Sequence, residues 1–177
     1  MAFNVSEFRA NLIGDGARPN LFQVSLAFPT YVRQANREIS FLAKTGQLPG
    51  STIGTVPLYY FGRELKFAGN RTFPDWSITI INDEDFRVRN AFEDWMDYVN
   101  SHAGNLRDPN AKRPTDYSTD AVVTQFSKDG TPIKRYRFVG MFPTDVAPIE
   151  LDWGSNDSIE EFGVTLAYQF WESDTTS

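Results

Sequence analysis

Residues 162–170 read Phe162-Gly163-Val164-Thr165-Leu166-Ala167-Tyr168-Gln169-Phe170. Large apolar side chains occupy every second position, with small or polar ones between them. That is the two-residue period of a strand with one face in a core and the other turned outward. One continuous strand is expected here, with Phe162, Val164, Leu166, Tyr168 and Phe170 all on the core side.

The same period recurs outward from this stretch. Phe22, Val24, Leu26 and Phe28 alternate with Gln23, Ser25 and Ala27; Trp76, Ile78 and Ile80 alternate with Ser77 and Thr79; Ile39, Phe41 and Ala43 repeat the pattern. After the Leu48-Pro49-Gly50 break an extended stretch runs from Thr55 to Phe61, and Leu65 and Phe67 form a shorter element. A hairpin is predicted from Val122 to Ser127, turning at Asp129-Gly130 and returning over Lys134 to Val139. From Phe142-Pro143 to Ser158 the chain reads as irregular apart from a short strand at Ile149 to Leu151.

One helix is predicted over 83–103. Asn82 or Asp83 suits its amino-terminal cap, Glu84 and Asp85 its first turn, and Val88, Phe92, Trp95 and Val99 share one face, with a stop near Gly104. Leu106 to Ser118 reads as a long loop. No internal repeat is present. The expected fold is mainly β, an antiparallel sandwich or barrel with one flanking helix, forming a single domain over 1–177.

At 41% hydrophobic and 15% aromatic residues, the composition is that of a folded chain rather than a disordered one. Cysteine is absent, so disulfides and thiolate metal sites are excluded, and the one histidine, His102, cannot build a multi-histidine centre. The first residues lack a basic stretch followed by an apolar run, and no apolar run approaches the ~20 residues of a membrane span. A soluble chain made in the cytoplasm, with no membrane anchor, is expected.

The net charge of −6 argues against a protein that grips phosphate backbones. Its distribution is uneven. No Lys or Arg follows Arg137, whereas Asp145, Glu150, Asp152, Asp157, Glu160, Glu161, Glu172 and Asp174 do; Arg107 to Arg137 is basic by contrast. Such segments either solvate the surface or meet as complementary faces between copies.

No nucleophile elbow, phosphate-cradling glycine loop, zinc-protease or calcium-loop pattern occurs. Asp152 with Glu160 and Glu161 is the best carboxylate pair for glycoside hydrolysis, a pairing that acidic proteins offer by chance. Trp76 and Trp95 fall in periodic apolar patterns and read as core. Trp153 and Trp171 sit at the ends of structured segments, where they could stack on a sugar or be buried between subunits. No catalytic residue, metal or cofactor is expected.

Several segments together resemble a known family. Ala17-Arg18-Pro19-Asn20-Leu21-Phe22-Gln23-Val24, Leu48-Pro49-Gly50, Ala68-Gly69-Asn70-Arg71-Thr72-Phe73 with Asp75-Trp76, Asn82-Asp83-Glu84, Phe142-Pro143-Thr144, Leu151-Asp152-Trp153 and Phe162 to Ala167 resemble, in order, the tail tube proteins of contractile-tailed bacteriophages. The stretch from Phe28 to Arg37 looks longer than the family pattern, as do a few residues after Glu172.

The resemblance implies a non-enzymatic structural protein of the virion tail, six copies to a ring. Strands of all six join into one barrel, and rings stack head to tail inside a sheath. About four strands per copy at ~4.8 Å spacing and ~40° tilt give a barrel about 48 Å across, wide enough for a ~20 Å duplex. The implied partners are other copies of the chain, the sheath protein, baseplate and tail terminator proteins, and viral DNA that passes without specific binding. A baseplate tube initiator or the inner tube of a contractile injection system fits the same pattern; a carbohydrate-binding β-sandwich is the reading from a different class.

Stacking needs a contact that does not close on itself. Candidate interface residues are Phe3 and Phe8 in an amino-terminal arm (1–16) ordered on assembly, Leu48, Pro49, Gly50, Arg71, Asp75, Trp153 and Trp171, ahead of a flexible end at 173–177. Thr165, Gln169 and Glu160 are the candidate lumen-facing residues, because a polar or acidic wall lets phosphate slide.

Overall fold

Trp76, Ile78 and Ile80 lie opposite Leu166, Val164 and Phe162 on the neighbouring antiparallel strand, and all six are essentially solvent-free. Both strands put their large residues on the same side, so each cross-strand pair enters the core together. The computed structural model describes residues 5–32 and 42–176.

Its strands are β1 (Phe22–Leu26), β2 (Ala43–Thr45), β3 (Thr52–Tyr60), β4 (Arg63–Thr72), β5 (Trp76–Ile81), β6 (Thr119–Phe126), β7 (Pro132–Val146), β8 (Glu161–Ala167) and β9 (Phe170–Ser173). The helices are α1 (Val5–Asn11), α2 (Arg87–Val99) and α3 (Pro114–Tyr117). The main sheet runs β1-β6-β7-β8-β5-β2, with β9 also paired to β7 and every pairing antiparallel. It curls into a nearly closed barrel, the mainly β class expected. At the seam Gly46, just past β2, lies beside Phe22 and Val24 of β1, where an added Cβ would make ordinary contact with them at 3.6 and 3.7 Å.

The fold turns on β7. Its first half pairs with β6 and β9, its second half with β8, and the change comes at Gly140, whose φ of 65° favours glycine. The carboxylate of Asp120 holds this corner, accepting from Gly140 N at 3.1 Å and from Arg137 Nη2 at 2.6 Å. Facing the corner, Tyr168 and Gln169 interrupt the strand expected to run unbroken from 162 to 170. The interruption reverses the alternation. Phe170 is consequently 41% exposed rather than in the core, and Trp171 turns inward in its place.

Helix α2 covers the core with Val88, Ala91, Phe92 and Trp95. Phe28 meets Phe92 and Trp95 edge-on, and the Trp95 indole donates to Tyr117 O at 2.6 Å, tying α2 to α3. The helix is shorter than its predicted span of 83–103. Asn82 donates its side-chain amide to Glu160 instead of capping, residues 83–86 form a turn, and left-handed Phe86 opens the helix. At the other end the chain leaves helical geometry at Asn100, with Asn105 rather than Gly104 left-handed. Pro114–Tyr117, read as loop, forms a helical turn, and β7 continues through Pro143 to Val146 where irregular chain was expected. No strand forms at 149–151. Ile39 and Phe41 lie outside the described residues; the strand predicted there is seen from Ala43.

Candidate functional site

Among the described residues, strands β3 and β4 pair only with each other and form a two-stranded ribbon apart from the main sheet. They are joined by Phe61-Gly62, with φ values of 47° and 77°, the paired positive values of a two-residue turn that matches strand twist. Nine residues of β3 at about 3.3 Å each make an arm of about 30 Å. Every residue of both strands is exposed except half-buried Gly69. At Gly69 the strands approach so closely that an added Cβ would sit 3.0 Å from the Gly54 carbonyl oxygen.

The ribbon has two unlike faces. Register sets Val56 opposite Phe67, Leu58 opposite Leu65 and Tyr60 opposite Arg63 on one side; Thr55, Pro57 and Tyr59 face Ala68, Lys66 and Glu64 on the other. The first face is thus apolar, yet Val56, Leu58 and Phe67 are each more than half exposed. An isolated two-stranded ribbon is marginal in water, and both of its margins offer unpaired backbone groups.

The foot of the ribbon is fastened to the barrel. Trp76 Nε1 donates to Gln47 O at 2.7 Å, Trp171 Nε1 donates to Gly50 O at 3.0 Å, and Phe73 lies against Tyr168. Leu48, half-buried Pro49 and Gly50 therefore form an anchored entry to the arm. Trp171 is half-buried within its own chain, edge-on to Tyr136. Arg71 lies opposite Ile53 near the foot, and Asp75 follows at the exit. Burial, with the Asp75 charge adding to it, raises the pKa of the Tyr168 phenol.

The loop 147–160 carries Trp153, wholly exposed at 101%, with Leu151 and Ile159 also uncovered. The carboxylate of Asp152 accepts from Gly154 N at 2.9 Å, and Arg89 holds the start of the loop by donating to Ala147 O. Half-buried Glu160 accepts from Asn82 Nδ2 at 3.0 Å. Asp152 and Glu160 thus hold local structure, and the third acid of the candidate hydrolytic set, Glu161, pairs with Lys44. Thr165 is half-buried on the outer face of β8, its hydroxyl 3.3 Å from that of Ser77; Gln169 is exposed at the corner, its N donating to Val139 O. Phe8 is exposed on α1 with Val5. Phe3 lies outside the described residues.

Beside α2, Tyr31 stacks on Tyr98 with centroids 3.4 Å apart; burial, then the neighbouring Tyr98, pushes the Tyr31 phenol well above its ordinary value. His102 closes back on Asp97, and that hydrogen bond lowers the Asp97 pKa. Among the described residues, no three His, Cys, Asp or Glu side chains gather to hold a metal. The most exposed apolar surfaces are instead those suited to contact.

In the sequence β3 and β4 show only as two extended stretches, and Val56, Leu58, Tyr60, Leu65 and Phe67 are not among the interface candidates it offers. The signal was present in their matched alternation about Phe61-Gly62. Alternation cannot tell whether an apolar face enters its own core or a neighbour's.

A family model described as phage tail tube protein matches residues 17–174. The chain is 36% identical over 165 residues to tail tube protein gp19 of Enterobacteria phage T4, covering 93% of this chain and 96% of that one. It is 30% identical over 168 residues to the tail tube protein of Serratia phage KSP90, covering 93% of each. Among solved structures the fold resembles a chain of the anti-feeding prophage tube-terminating cap, with a TM-score of 0.65 at 16% identity, covering 92% of each. A chain of an extracellular contractile injection system sheath-tube complex in the extended state has a TM-score of 0.57 at 17% identity, covering 97% of this chain and 98% of that one.

Proposed function

Since this chain belongs to the phage tail tube protein family, we propose that it polymerises as stacked hexameric rings into the tube through which viral DNA leaves a contractile-tailed phage. Copies join side by side through unpaired strand margins, the outer margin of β1 among them, and rings stack through a heterologous contact repeated along the axis. The small, polar outer face that carries Ser77 and Thr165 forms the lumen wall, with Glu160 and Gln169 near its ends. Lys44 on the same face is ion-paired with the Glu161 carboxylate, which weakens its hold on phosphate at each ring.

The observation that carries this reading is the ribbon. A monomer gains nothing by holding Val56, Leu58, Leu65 and Phe67 in water on an arm of about 30 Å, whereas a polymer covers that face in every subunit except those at its end. The reading is supported by the names of the matched relatives, all tail tube proteins. In the virion the tube lies inside the sheath protein, between the baseplate and a terminator; the chains of similar fold come from baseplate, cap and sheath-tube assemblies.

The test is a ribbon variant, L58E/F67E. Both positions touch solvent rather than core, so the variant should match the parent chain in circular dichroism and melting temperature. It should form no hollow tubes by electron microscopy, either alone at high concentration or with a nucleating baseplate complex. Normal tubes from the variant would refute the reading.

A further inference from the structure

Strand β5 connects the two poles of the barrel. At its start the Trp76 indole reaches Gln47 at the foot of the ribbon, and at its end Asn82 N donates to Glu160 O, 2.9 Å away, where the 147–160 loop closes. Strand β8 repeats the relation, since Leu166 lies beside Trp76 and Glu161 beside Ile81. The ribbon and the loop therefore leave the barrel at opposite poles.

They are also opposite in charge. Residues 52–72 carry Arg63, Lys66 and Arg71 against Glu64, whereas residues 147–160 carry Glu150, Asp152, Asp157 and Glu160 with no Lys or Arg. Each presents uncovered apolar groups beside its charges: Val56, Leu58 and Phe67 on the ribbon, Leu151, Trp153 and Ile159 on the loop. Two such surfaces at opposite poles of one chain cannot meet within a copy, but stacking copies in one direction would bring them together.

We infer that the acidic, tryptophan-bearing loop 147–160 of one copy is the receptor for ribbon 52–72 of the copy stacked on it. This rests on the tube reading and names the surface that covers the ribbon, with the apolar face and Arg63 on one side and Lys66 on the other. Trp153 and Leu151 supply apolar cover, while the carboxylates set polarity, so that rings add in one direction and like poles repel.

Reversing charge on either side tests it. R63E/K66E and E150K/D157K change exposed side chains and leave the monomer's melting temperature as it was. Each should cut the yield of sedimentable tubes at least tenfold, and the two pairs combined in one chain should restore it to within about twofold, because the four reversed residues then face each other with both signs exchanged. W153A should lower the yield likewise without unfolding the monomer. If the ribbon variant fails to assemble while the loop variants assemble normally, the receptor lies elsewhere and the tube reading survives. A combined variant that folds but stays unassembled also overturns the pairing. If the parent chain forms no tubes even with a nucleating complex, the tube reading fails and this inference fails with it.

Discussion

The indole of Trp171, in the last strand, donates to the carbonyl of Gly50 across 121 residues of sequence, and this 3.0 Å bond ties the foot of the exposed ribbon to the barrel. Trp171→Phe keeps the ring against Tyr136 but leaves Gly50 O without its donor. A loss of about 1 kcal/mol is expected. Limited proteolysis at 47–51 should accelerate more than global unfolding does, since the bond constrains the foot rather than the core. Equal acceleration at the foot and in the barrel would show that Trp171 stabilises the whole fold.

Gly140→Ala acts at the corner of β7. There φ is 65°, and an added Cβ would stand 3.0 Å from the Gln169 side chain. That side chain is flexible and can move aside, so backbone strain sets the cost, about 1–2 kcal/mol. Denaturant titration should show that loss; a variant as stable as the parent would mean the corner tolerates an L-residue.

Alkaline pH should weaken the folded chain through Tyr31, Tyr98 and Tyr168, all of whose phenols are raised from the usual 10.0, each chiefly by burial. A group whose folded pKa lies above its unfolded one binds its proton more tightly when folded. Stability is therefore full below pH 10 and falls as the pH rises past it. Tyr31→Phe should flatten this decline, measured as melting temperature against pH. An unaltered alkaline slope would reject the role of Tyr31.

Thr165→Lys tests the lumen wall. In the proposed ring of six copies the added cations should retain phosphate and slow DNA release from particles with tails of normal length, the delay shrinking as salt is raised. Release at the parent rate would place Thr165 away from the DNA.

Strand periodicity was legible because burial on one face imposes a two-residue pattern that needs no knowledge of the partner. It located β1, β5, β6 and most of β8, and the core residues Trp76, Phe162, Val164 and Leu166 followed from it. The break at Tyr168-Gln169 was not legible. It answers a bulge at Gly140, far off in sequence, and only the pairing of β7 with both β8 and β9 reveals the change of phase. The helix was recognised by its apolar face, but its start was misplaced because Asn82 found a partner in Glu160 instead of capping.

By itself the sequence determined the class of the fold, the identity of its buried strands, the absence of cysteine chemistry and, through its ordered motifs, the family. Tertiary structure decided which apolar face remains in water and where the two charged segments stand. The reason is physical. Hydrophobic alternation records that a face will be buried, but whether the cover is the chain's own sheet or another copy depends on the path of the backbone, and here that path carries Val56, Leu58 and Phe67 off the barrel and leaves Trp153 at the opposite pole.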